Sequence, residues 1–114
     1  MLDRLRAAPD LSDIRVVDDT SVDADTFQFK VRADVGATTL QTRFLRDETF
    51  TRYSFQLYSD RPLLRWDNSP HYPDLPNFPH HFHDVDNHVT SSSLTGDLMT
   101  DIEVVLAEVA RLKS

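Results

Sequence analysis

Cysteine is absent from this chain of 114 residues. Disulfides and thiolate metal ligands are therefore excluded, and any metal site must be built from imidazole and carboxylate. Glycine is scarce, with 2 residues, and hydrophobic residues make up 39%; together these argue for a folded globule rather than disorder. No apolar run approaches the ~20 residues of a membrane span, so no membrane partner is expected. No apolar region follows the charges of Met1-Leu2-Asp3-Arg4, so no secretory signal is expected and cytoplasm is the default location. Lysine and glutamate are also rare: 2 Lys stand against 10 Arg, and 3 Glu against 16 Asp. That bias suits a salt-adapted source. The net charge of −7 argues weakly against nonspecific nucleic-acid binding, yet leaves room for a local basic surface.

The length fits one domain, 1–114, long enough for a real core and too short for two. Residues 2–8 suit a short helix stopping before Pro9. The apolar run Ile14-Arg15-Val16-Val17 predicts a strand at about 13–18, set among six Asp between Asp10 and Asp25. Residues 26–35 alternate, with Phe27, Phe29, Val31, Ala33 and Val35 on one face. Gly36 then supplies a turn. Strands follow at about 38–45, 50–58 and 63–67, separated by Asp47-Glu48 and Ser59-Asp60-Arg61-Pro62. Five strands with short connections make an antiparallel meander with one wet face. That face collects Lys30, Arg32, Arg43, Arg52 and Arg65, either as a basic patch or as long side chains that only cover the sheet. Near the C-terminus, Thr100-Asp101-Ile102-Glu103 matches a capping box. It opens a helix with Ile102, Val105, Leu106, Val109 and Leu112 on one face, and Arg111 and Lys113 near its end. The expected fold is α+β: a meander of about five strands, a C-terminal amphipathic helix on one face, and a short N-terminal helix.

Between the meander and that helix lies the most unusual stretch, residues 65–83, a Pro/His-rich extended strap. It holds the only Trp, four of the six Pro and four of the five His. Prolines at 70, 73, 76 and 79 have the repeat of polyproline II, which has three edges. Tyr72, Leu75, Phe78 and His81 form an apolar edge suited to docking. His71, Asp74, Asn77, His80 and His83 form a polar one, rich in groups that titrate near neutral pH. His81 is ambiguous: docked if the polyproline form continues, exposed beside His83 if a strand begins at Pro79.

Arg65-Trp66-Asp67-Asn68-Ser69-Pro70-His71 followed by Phe78-Pro79-His80-His81-Phe82-His83 resembles the signature of the TumE family of toxins from type II toxin–antitoxin systems. The likeness covers essentially the whole chain, though only the strap is diagnostic. Ser69 stands where that pattern has Ala, Tyr72 where it has a second His, and Asn77 where it has Thr. Past His83 the sequence drifts, with Ser91-Ser92-Ser93-Leu94-Thr95-Gly96 leading into the helix. The resemblance implies a small cytoplasmic toxin neutralised by a cognate helix-turn-helix antitoxin. A homo-oligomer is compatible with it.

Chemistry has to be read from the residues. The first reading is a ribonuclease without a cofactor, cleaving RNA independently of metal. His80, His81, His83 and His71 offer acid and base groups near neutral pH, and Asp67 could orient one of them. Arg65, Arg52 and Arg43 would meet the phosphate, and Asn68 the substrate or backbone. Tyr72 or Phe78 could stack a base. The second reading is a Zn site: His81 and His83 on an extended strand point to one face, with His71, or with Asp67 or Asp84, as third ligand. The third is a non-catalytic interaction module, because Pro-rich straps make good docking surfaces.

Overall fold

The computed structural model describes residues 1–23 and 25–113. Helix α1 (Leu2–Ala7) leads into seven strands: β1 (Ser12–Asp23), β2 (Thr26–Val35), β3 (Thr38–Arg46), β4 (Thr51–Tyr58), β5 (Pro62–Asp67), β6 (His81–His83) and β7 (Val89–Ser91). Helix α2 (Leu98–Lys113) closes the chain. The strands form one antiparallel sheet in sequence order, β1 to β7. The α+β meander is as the alternation predicts. It differs in extent: β1 runs on to Asp23, and two short strands continue the sheet beyond the strap.

The turns are made by local chemistry. Gly36 takes a φ of 60°, where L side chains are strained, and Thr38 Oγ1 donates back to the Val35 carbonyl at 2.7 Å. Between β3 and β4, Asp47 Oδ1 accepts the N–H groups of Thr49 and Phe50 at 2.7 and 3.0 Å.

Register then sorts the side chains. Val31, Thr42, Phe55, Trp66 and Phe82 lie across from one another in successive strands, as do Ala33, Leu40, Leu57 and Leu64. This face is covered by α2, whose Ile102, Val105, Leu106 and Val109 join the sheet residues and Leu5 of α1 in one core. Fully burying side chains of this size contributes about 1.5–3 kcal/mol each. Leu112, expected on the same stripe, is 47% exposed. The opposite face carries Lys30, Arg43, Ser54, Asp67 and His81 along one row, and Arg32, Gln41, Gln56, Arg65 and His83 along the next. No helix covers it.

Two local expectations give way. Helix α2 begins at Leu98, so Thr100 lies inside its first turn; its hydroxyl bonds the Asp97 carboxylate, and the Asp101 N–H bonds the Asp97 carbonyl at 2.8 Å. Glu103, freed from a capping role, pairs with Arg4 of α1, whose Nη2 donates to Oε1 at 2.8 Å. The Lys113 side chain lies outside the described residues. The strap, for its part, is a run of turns rather than polyproline II. The N–H groups of His71, Leu75 and His80 bond the carbonyls of Ser69, Tyr72 and Asn77 at 2.9, 3.2 and 3.0 Å, whereas polyproline II has no internal hydrogen bonds. Asn77 adopts a φ of 62°, its amide donates to the carbonyls of Ser92 and Leu94 at 2.6 and 2.9 Å, and the Phe78–Pro79 peptide is cis. The three-edge division therefore fails in part: Phe78 is 44% exposed rather than docked.

Candidate functional site on the open face of the sheet

Strand β5 alternates Arg65, Trp66 and Asp67, so Trp66 enters the core while both charged residues face the open side. Across the ladder Arg65 pairs with His83 and Asp67 with His81. Phe82, between the two histidines, points the other way and packs 4.9 Å from the Trp66 ring. Strand period two thus brings His81 and His83 together, with ring centroids 5.0 Å apart.

Asp67 is the hub. Arg65 Nε donates to its Oδ2 at 2.7 Å, the Ser69 N–H donates to Oδ1 at 2.9 Å, and His81 Nε2 lies 2.9 Å from Oδ1. His83 Nε2 is 3.9 Å from Oδ2. Burial opposes the charge on Asp67, but the hydrogen bonds from Arg65 and Ser69, with the charges of His81 and Arg65, outweigh it. Its carboxyl is held below the ordinary carboxylate range. Asp67 is accordingly an anion near neutral pH.

The two imidazoles differ in access. His81 Nδ1 lies 3.1 Å from the Pro79 carbonyl and its Nε2 faces the Asp67 carboxylate, so both ring nitrogens meet groups that can only accept. His83 Nδ1 lies 3.3 Å from Asn87 Oδ1. Tyr72 reaches over from the strap, its ring 4.7 Å from His81 and 6.1 Å from His83. Under this cover His81 is 1% exposed, while the His83 side chain keeps 20% and Arg65 39%. Arg43 and Arg52, from β3 and β4, line a hollow of about 200 Å³ with Arg65, Ser54 and Ser69. On the far side of Arg65 and His83 lies a wider hollow of about 580 Å³, lined also by Gln56, Arg61 and Asn87.

His80 does not join this group. It precedes β6, and the Tyr53 hydroxyl, on the core face, lies 2.7 Å from its Nδ1. Burial lowers the His80 pKa, Asp101 pulls it up, His81 lowers it further, and the net direction is down. Burial first, then the charges of Asp101 and Asp67, push the Tyr53 phenol up, so Tyr53 keeps its proton in the hydrogen bond it shares with His80. The expected polar edge of His71, His80 and His83 is thus divided: His71 is exposed on the strap, His80 turns toward the core side, and His83 faces the open sheet. Asn68 is held in the architecture, its Oδ1 accepting the Tyr53 N–H at 3.0 Å and its Nδ2 donating to the Thr51 carbonyl at 2.8 Å.

Tyr53 and Asp101, beyond the expected set, matter, and so does Tyr72, which was expected only to dock or to stack a base. Tyr53 and Tyr72 are the partners of His80 and of His81. Asp101 is 1% exposed and accepts the N–H groups of Thr95 and Gly96 at 2.9 and 2.8 Å. A signal existed for Asp101, because it is four residues before Val105 and eight before Val109, on the apolar stripe. Among the described residues, the groups whose ligand atoms lie close enough for a metal are Asp67, His81 and His83, and the more exposed Asp84, Asp86 and His88. His71 belongs to neither.

No curated protein and no solved structure matches the chain. The family model described as Toxin TumE matches residues 1–113, which is nearly the full length, and so the chain belongs to the TumE toxin family.

Proposed function

We propose that this toxin acts on RNA, cleaving it by metal-independent proton transfer on the open face of the sheet. The observation that carries the reading is the register, which sets Arg43, Arg52 and Arg65 beside Asp67, His81 and His83 on the face opposite the core. Arginines supply a rigid cationic fork for phosphate, and an imidazole supplies proton transfer near neutral pH. His83 is the accessible imidazole and takes the base role; Asp67 and His81 are positioning residues. In the reaction the ribose 2′ oxygen bonds to the adjacent phosphorus as the P–O5′ bond breaks. His83 accepts the 2′ proton, water supplies the proton to the leaving 5′ oxygen, and Arg65 faces the charge on the phosphorane. The products are a 2′,3′-cyclic phosphate end and a 5′-hydroxyl end. Toxin membership implies an antitoxin partner, which we take to be a helix-turn-helix protein, with the cytoplasm as the site of action.

The test is expression of the chain with His80, His81 and His83 changed singly to Ala, followed by sequencing of cellular RNA ends. His83→Ala and His81→Ala are expected to lose growth inhibition and the new 5′-hydroxyl ends. His80→Ala, on the other face, is expected to keep the ends at reduced stability. Toxicity of all three at equal expression overturns the assignment.

A further inference from the structure

We propose that Asp67, His81 and His83 form a binding site for one divalent transition cation of the Zn²⁺ type, and that its occupancy switches off the RNA cleavage. The regulatory half rests on the cleavage reading above; the site itself does not. Ligand atoms of the three residues lie within 4.8 Å of one another. A tetrahedral ion with bonds of ~2.0–2.1 Å needs separations of roughly 3.3 Å. His81 Nε2 and Asp67 Oδ1 are already 2.9 Å apart, so the remaining adjustment falls on His83, 3.9 Å from Oδ2 and the most open of the three.

The outer partners suit ligation. A coordinating imidazole commonly donates its other nitrogen to a carbonyl or carboxamide oxygen, which fixes tautomer and ring orientation. His81 has the Pro79 carbonyl at 3.1 Å on Nδ1, and His83 has Asn87 Oδ1 at 3.3 Å on Nδ1. Both Nε2 atoms face Asp67, and a bound cation takes the place of the proton that His81 Nε2 shares with the carboxylate. Two imidazoles and a carboxylate match Zn²⁺ better than Mg²⁺ or Ca²⁺, which take oxygen ligands. Arg65, 2.7 Å from Oδ2, opposes a second positive charge, so binding is expected to be reversible. The exposed Asp84 group is a turn: Asp84 Oδ1 accepts the N–H groups of Asp86 and His88, each at 2.9 Å.

Coordination takes the His83 Nε2 lone pair, which is the pair that accepts the 2′ proton. A bound cation therefore inhibits. The experiment titrates the chelator-treated full chain with ZnCl₂ by calorimetry and assays RNA cleavage in parallel. One Zn²⁺ per chain is expected, weakened at least about tenfold in His81→Ala and in His83→Ala and unchanged in His88→Ala. Cleavage is expected to persist in chelator and to fall as the site fills. Because His81 is buried, His83→Ala with an unaltered circular dichroism spectrum is the deciding variant. Absence of saturable binding, or full affinity in His83→Ala, overturns the site. Binding without inhibition overturns the regulation. Activity lost in chelator and restored by Zn²⁺ overturns the inhibitory role and the metal-independent reading, while supporting the site. Zn²⁺ binding in a chain that cleaves no RNA leaves the site standing and removes the cleavage reading.

Discussion

Two buried carboxylates, Asp67 and Asp101, are held by opposite means. Asp67 meets a guanidinium and an imidazole, while Asp101 meets the N–H groups of Thr95 and Gly96 and the Thr95 hydroxyl, with no cation among those partners. A carboxylate satisfied by backbone donors is a structural staple: it ties the segment before α2 to the first turns of the helix. Removing it leaves two N–H groups in a partly buried place without an acceptor. Asp101→Ala is expected to lower stability by on the order of 3 kcal/mol, seen in urea unfolding as a lower midpoint at an unchanged slope. An unchanged midpoint would mean that water replaces the carboxylate at no cost. The residue types at the site were legible in the strap, and so was the approach of Asp67 to an imidazole. Tyr72 and Tyr53 were not read as partners of His81 and His80, because a pattern of apolar positions does not show where a phenol hydroxyl or ring edge will land.

At the scale of elements, what was readable followed periodicity. Strict alternation in 26–35 and in the next three segments placed four strands and both faces of the sheet, since each faces a core on one side only. The strap defeated the same method. Its prolines recur every third residue, but Asn77 at φ 62° and the turn hydrogen bonds cut the repeat, and strand period two takes over at His81. Proline spacing constrains φ alone and leaves ψ free to make turns. Thr100 misled for a related reason: a hydroxyl with Glu three residues on can equally sit within a first turn. Glu103 instead joins the helices through Arg4. The hydrogen bond from Arg4, opposed by slight desolvation and helped by its charge, holds the Glu103 pKa below the ordinary value. A carboxylate lowered in the folded state adds stability above its unfolded pKa, and that contribution is lost as pH falls through the folded value. Glu103→Gln is therefore expected to melt below the parent protein at pH 7, and the gap in Tm should close as pH drops under about 4.3. A gap that persists at pH 3 would assign the difference to packing.

Taken whole, the molecule separates its charges. Net charge is −7, yet the open face offers Arg43, Arg52 and Arg65 around one hollow, while acidic residues gather on the edge strand β1. The separation is incomplete at one end, where Asp18 bonds Thr20 and Gln28 and its charge reaches Lys30 and Arg43. On the proposed reading, long-range attraction for RNA is consequently weak, and binding has to come from cations that touch phosphate. Such contacts release counterions, so affinity falls with salt at a slope near −0.7 per phosphate neutralised on a single strand. If Arg43 and Arg52 each meet one phosphate, the double variant Arg43→Gln, Arg52→Gln removes two contacts. The slope of log K against log salt should then become shallower by about 1.4. The measurement is fluorescence anisotropy of a short single-stranded RNA between low and physiological salt, using His83→Ala to prevent cleavage. A rim of long side chains that only covers the sheet would give parallel lines for parent and variant. Convergence of the two lines at high salt instead marks the open face as the surface on which the toxin holds RNA.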